Sequence, residues 1–113
     1  MVKPEKEGIL LPIFLEEARK HQGRPLYEWI IRQAREEGLA GATVIRGHEG
    51  FGQDHRMHTA KVLRLSANLP MIVEIVDEAE KIHAFLELIE EAISVGMVTT
   101  EKVKMRFYRR DDE

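Results

Sequence analysis

The stretch GATVIRGHEGFGQDHRMHT, residues 41–59, opens as a β-branched strand, breaks at Gly47, Gly50 and Gly52, and runs on as a polar arm. Valine, isoleucine and threonine pack well on a pleated surface, which makes Ala42–Gly47 a strand. Glycine has no Cβ, so it adopts positive φ without strain and lets backbone N–H groups approach an anion closely. The turn Gly47-His48-Glu49-Gly50-Phe51-Gly52 therefore suits two roles equally: a hinge at the head of a hairpin, or a cradle for phosphate. It is neither a Walker A loop nor a dinucleotide-binding turn, because no Gly-Lys-Ser/Thr follows and no helix begins there.

On the downstream side, Ala60–Ser66 (AKVLRLS) alternates cleanly and is the expected hairpin partner of Ala42–Gly47, with the arm between them. Asn68-Leu69-Pro70 then turns the chain into Met71–Val76 (MIVEIV), apolar at odd and even positions alike. Asp77 with Glu80 three residues on forms a capping-box pattern for a helix carrying Ile82, Phe85, Leu86, Ile89 and Ile93, stopped at Gly96. Lys102–Tyr108 alternates as a last strand. On the upstream side, Gly8–Glu17 (GILLPIFLEE) is a strand apolar on both faces, with Pro12 implying a bulge or one unpaired edge. A helix follows from Pro25 to Gly38, with Leu26, Ile30 and Ala34 flanked by Tyr27 and Ile31 on one face. The order defines an α+β fold, the ferredoxin-like βαββαβ sandwich with an extended middle hairpin arm. Two helices cover only one sheet face, so a second copy of the chain is the expected cover for the other.

The 113 residues are expected to form a single domain, 1–113, with frayed tails at 1–7 and 109–113. A formal net charge of −3 gives no case for nucleic acid or an anionic membrane. Residues 46–64 nevertheless hold Arg46, Arg56, Lys61 and Arg64 against Glu49 and Asp54, a local charge of +2 that favours a small anion. The absence of cysteine excludes disulfides, thiolate metal sites and cysteine nucleophiles. With no signal-peptide pattern and no apolar run near bilayer length, direct membrane insertion is not expected, and the cytoplasm is the expected compartment.

Three of the five histidines, His48, His55 and His58, fall in the arm beside Glu49 and Asp54. Imidazole and carboxylate are ordinary zinc ligands, so the arm offers a metal site as an alternative, although no His-Glu-x-x-His helix supports it. Ser66 and Ser94 have no base positioned beside them, and no catalytic set converges; the chain is expected not to be an enzyme. Arg106 and Arg109 are further anion-capable groups near the end of the chain.

With Gly41-Ala42-Thr43-Val44 and Gly50-Phe51-Gly52 in place, the sequence resembles the PII signalling superfamily, in which a G-x-T-V strand closes in G-F-G before a long mobile loop. Leu69-Pro70 and Val73–Val76 match that superfamily's next strand. Gly23-x-Pro25-Leu26-Tyr27-Glu28, Leu39-Ala40-Gly41 and Arg46-Gly47-x-x-Gly50-Phe51-Gly52 make it most similar to the uncharacterised PII-like family often encoded near fluoride-exporter genes. The resemblance implies a homotrimer with an adenine nucleotide in clefts between subunits, contacted by Thr43, Arg46, Gly50, Phe51, Gly52, Gly96, Thr99 and Lys102. It implies an effector loop of Gln53, Asp54, His55, Arg56 and His58 that signals to a partner, a membrane transporter or an enzyme, with no required cofactor. PII proteins have a glycine-rich loop before the last strand, whereas this chain has Met97-Val98-Thr99-Thr100-Glu101; fewer phosphate contacts favour AMP or ADP. The alternative function is a divalent-metal-binding tolerance-type trimer that uses His48, His55 and His58.

Overall fold

The structure is a computed structural model, and it describes residues 5–60 and 68–108. In chain order the elements are β1 (Lys6–Glu16), β2 (Lys20–His21), β3 (Arg24–Pro25), α1 (Leu26–Glu36), β4 (Gly41–Arg46), β5 (Glu49–Gly50), β6 (His58–Thr59), β7 (Pro70–Asp77), α2 (Ala79–Ile89), a 3-10 turn (Glu90–Ala92), β8 (Met97–Val98) and β9 (Glu101–Met105). The main sheet is antiparallel in the order β4-β7-β1, with β8 and β9 both on the far edge of β1. That order, with α1 between β1 and β4 and α2 between β7 and β8, is the ferredoxin-like α+β arrangement expected.

Pro12 sits in the middle of this sheet without a bulge. The pairs Leu10↔Glu101 and Ile13↔Val98 keep one register, so β8 and β9 are a single strand line interrupted opposite Leu11 and Pro12. Thr99 N–H still donates to the Pro12 carbonyl at 3.2 Å, but proline has no N–H to return the bond. The proline therefore weakens the ladder on this side only; on the other, Pro12 stays in register with Glu74. Lys6 and Glu7 pair with Met105 and Lys104 and belong to the strand, not to a frayed lead.

β4 pairs with β7, in register from Gly41↔Val76 to Arg46↔Met71; the expected hairpin partner Ala60–Ser66 lies, but for Ala60, outside the described residues. One further expectation is corrected. The second helix does not take Asp77 as its cap. Asp77 closes β7, 5% exposed, and its carboxylate accepts from Ala40 N–H at 2.9 Å and from Glu78 N–H at 2.7 Å. The helix starts one residue later than that pattern implies: Asp77 is engaged by Ala40 N–H at the end of β7, and Glu78, extended at φ −63° and ψ 151°, takes the cap position without a side-chain cap. α2 ends at Ile89 and tightens into the 3-10 turn well before Gly96. Replacing Asp77 with alanine leaves two backbone donors without their acceptor, and we expect a loss of about 1–3 kcal/mol by urea denaturation.

The core lies between the helices and the odd-numbered side of the central strands. Leu11, Ile13, Leu15, Val73 and Ile75 meet Leu26, Ile30 and Ala34 of α1 and Ile82, Phe85 and Ile89 of α2. The apolar spacing of each helix repeats every three or four residues, which puts these side chains on one face. Between β1 and α1, Gln22 and Gly23 at φ 52° and 79° form a two-residue turn of the type that matches strand twist, and it seats the His21 ring 4.3 Å from Trp29. Gly38 at φ 71° ends the α1 region as expected.

The opposite sheet face carries Leu10, Phe14, Ile72 and Val76, with Ile45 and Met97 more exposed. No described helix covers it. Among the described residues, no helix is long and apolar enough to cross a membrane.

Candidate functional site

The glycine turn leaves the sheet at Gly47, whose N–H donates to the Pro70 carbonyl at 2.7 Å and so extends the β4–β7 ladder by one bond. A Cβ at Gly47 would stand 2.8 Å from Pro70 Cγ, which is why glycine is required here for packing. The arm then folds on itself. β5 and β6 pair through Glu49↔Thr59 and Gly50↔His58, Thr59 Oγ1 donates to Glu49 Oε1 at 3.0 Å, and Ala60 N–H donates to the His48 carbonyl at 2.9 Å. At the tip, His55 N–H donates to the Gly52 carbonyl at 3.0 Å, and His55 takes a left-handed φ of 57°. The Asp54 carboxylate accepts from Arg56 N–H at 3.0 Å, and the rings of Phe51 and His55 stack at 5.5 Å.

This folded arm closes over the ends of β1 and β7 and encloses a cavity of about 520 Å³, within the usual range for small-molecule sites. One wall is the arm, from Gly47 through Glu49–His55 to His58; the floor is Phe14–Glu16 with Pro70–Ile72; the third side is Val95–Met97. Gln53 spans the opening, its side-chain amide donating to the Gly96 carbonyl at 3.3 Å. The surface is mainly apolar, with Phe51, Val95 and Met97 exposed at its rim. Its charged groups are Glu16, Glu49 and Asp54, and no lysine or arginine is among the described residues that line it.

The residues singled out in the sequence divide accordingly. Gly50, Phe51, Gly52, Gln53, Asp54, His55, His58 and Gly96 line the cavity. A Cβ at Gly52 would meet nothing within 4 Å, whereas at Gly96 it would press on the Phe14 carbonyl at 3.0 Å and on Leu15 and Ile93. Arg46 lies outside and forks onto Glu17 with bonds of 3.0 and 3.1 Å. Thr43 sits on the helix-free face opposite Glu74, Thr99 on the interrupted line opposite Pro12, and Lys102 opposite Ile9. Ile9 is five residues along β1 from Phe14, about 16 Å at strand rise, so Lys102 does not reach the cavity of its own chain. Arg56 and His48 are exposed on the arm. Arg106 is held by Glu5, whose carboxylate raises its pKa further; Arg64 and Arg109 lie outside the described residues.

The three arm histidines do not converge. The carboxylate and imidazole groups that do are Glu16, Asp54 and His58, with ligand atoms within 4.8 Å of one another. Glu16 was absent from every sequence-derived set, because it belongs to β1 and only the folded-back arm brings His58 to it. The Gln53–Gly96 tie was hidden for the same reason.

A four-line antiparallel sheet, two helices on one face and a glycine-hinged arm between β4 and β7 make up a fold shared with PII-like proteins of known structure. The same fold occurs in CPII, a nitrogen regulatory PII-like protein of Thiomonas intermedia K12 whose structure is bound to ADP, AMP and bicarbonate; the match has a TM-score of 0.69 at 18% identity and covers 90% of this chain and 91% of that one. The chain belongs to the DUF190 family, described as Uncharacterized ACR, COG1993, which it matches over residues 8–105. Among its relatives, a UPF0166 protein of Aquifex aeolicus is 41% identical over 96 residues, 85% of this chain and 90% of the relative. UPF0166 protein MJ1524 of Methanocaldococcus jannaschii is 38% identical over 84 residues, 74% and 77% of the two chains.

Proposed function

We propose that this protein is a non-enzymatic PII-like regulator that binds an adenine nucleotide, AMP or ADP, beside the glycine turn and signals through its arm to a partner protein, a transporter or an enzyme. The observation that carries the reading is the Gly50–Gly52 backbone, open at Gly52 and facing an apolar-walled cavity at the root of the arm. An adenine ring suits the apolar walls and the Phe51–His55 stack. Three carboxylates and no lining lysine or arginine oppose a long phosphate chain, which favours the lower-charged nucleotides over ATP. The likeness to a fold seen with ADP and AMP supports the same ligand class.

The missing cation comes from a second subunit. Lys102 lies on the far edge of the sheet, and the helix-free face carries the apolar residues that another copy would cover. A cyclic trimer brings the β9 edge of one subunit to the glycine turn of the next, so that each cleft has two owners. Occupancy then biases the arm between conformations of different affinity for the partner.

Subunit mixing tests the shared cleft. Gly52→Val and Lys102→Ala trimers each bind ADP at least tenfold more weakly than wild type. When they are denatured together and refolded, clefts with an intact turn and an intact lysine reappear, and wild-type affinity returns in a fraction of sites. No recovery in mixed assemblies would place both groups in one chain's site and refute the shared cleft; a monomer by light scattering at micromolar concentration would refute it as well.

A further inference from the structure

We propose that Glu16, Asp54 and His58 form a divalent-cation site, best suited to zinc, that clips the arm onto the end of β1. The site lies in the wall of the same cavity, but it is inferred without the nucleotide reading. It draws its ligands from three places in the chain: the last residue of β1, the tip of the arm and the returning strand β6. His58 is the strongest indication. Its side chain is only 10% exposed, and its Nε2, sealed from solvent, makes no hydrogen bond. Glu16 Oε1 lies 2.5 Å from that nitrogen, yet off the line of a ring N–H, so the approach is a close ion-pair contact without hydrogen-bond alignment. A buried imidazole nitrogen without a donor or acceptor in line is costly unless something else occupies its lone pair.

A cation supplies that partner. One imidazole and two carboxylates are a borderline-to-hard donor set that zinc accepts, with a fourth position left for water or another ligand. Ligand atoms about 3.4 Å apart surround a tetrahedral zinc at roughly 2.1 Å; the present group lies within 4.8 Å, and an ion would part Glu16 Oε1 from His58 Nε2, now 2.5 Å apart, while Asp54 turns in. Asp54 is exposed and its Oδ1 is occupied by Arg56 N–H, which leaves Oδ2 to turn inward. Arg19 faces the other oxygen of Glu16, Oε2, at 3.3 Å, so Oε1 is the atom presented to the cation. The surrounding cavity holds a third carboxylate, Glu49, and no lining lysine or arginine, a field that concentrates cations. Because Asp54 and His58 flank the exposed residues His55–Met57, one ion would fix the tip that otherwise rests on the Gln53–Gly96 bond.

The test uses the full chain stripped with chelator and equilibrated with Zn²⁺ alone, without nucleotide. The expected result is one retained zinc per chain by elemental analysis, lost in His58→Gln and in Asp54→Asn and kept in His48→Gln. Zinc should also slow tryptic cleavage after Arg56 several-fold in wild type and leave the Asp54→Asn rate unchanged. Asp54 is exposed, so its variant keeps the fold and the comparison stays decisive even if His58→Gln loosens the arm. Zinc-free wild-type protein, or full retention in both His58→Gln and Asp54→Asn, would overturn the proposal.

Discussion

Gly52→Val cuts the ADP-induced rise in melting temperature by about half or more and leaves the melting temperature of the ligand-free protein close to that of wild type. The two halves of this result have separate causes. A Cβ at Gly52 meets no atom within 4 Å and the residue is not at positive φ, so valine costs the free protein within about 0.5 kcal/mol, as a surface substitution does. The added isopropyl group stands where a ligand phosphate or sugar must approach the turn, and a loss of at least tenfold in affinity, about 1.4 kcal/mol, follows. For wild type at 100 times Kd, the ligand stabilises the native state by about 2.7 kcal/mol, readily seen in a thermal scan. Gly47→Val is the instructive contrast. Its Cβ would sit 2.8 Å from Pro70 Cγ and 3.1 Å from the Pro70 carbonyl, so overpacking of about 1–3 kcal/mol falls on the fold itself and tells nothing about a ligand.

Phe85→Ala produces the largest loss of stability expected of any single core substitution in this chain, about 3–5 kcal/mol in chemical denaturation. Phe85 is 2% exposed and stands in the middle of α2, where it joins the helix to Leu11, Ile13, Ile75 and the α1 residues. Sheet and helices share that one cluster, so the cavity left by the ring cannot collapse without moving α2 off the sheet. Leu88, on the same helix but 47% exposed, supplies the control: Leu88→Ala changes stability by less than about 0.5 kcal/mol.

How much of this was legible before the structure follows from what each signal depends on. The helices were readable because Leu26, Ile30, Ala34 and Ile82, Phe85, Ile89 repeat at helical spacing, a purely local pattern. The two-sided apolar character of β1 and β7 gave away a sheet with one face open, and the order of elements then selected the fold. That β7 lies along β4 was not readable, since alternation says that a strand exists and not which neighbour it pairs with. Asp77 misled because an acidic residue before a helix looks the same whether it caps that helix or, as here, binds Ala40 across the fold. At the site, the glycines were visible as glycines, but the difference between Gly47 and Gly52 depends on Pro70 from a distant strand. Glu16 meeting His58 is likewise a long-range contact with no local signature.

The central claim is nucleotide binding at the glycine turn, and calorimetric titration of the wild-type protein with AMP, ADP and ATP at low and at physiological salt addresses it most directly. The account predicts saturable heat with AMP or ADP, one ligand per chain, stronger than with ATP and weakened at least tenfold in Gly52→Val. No heat from any of the three at either salt would contradict it.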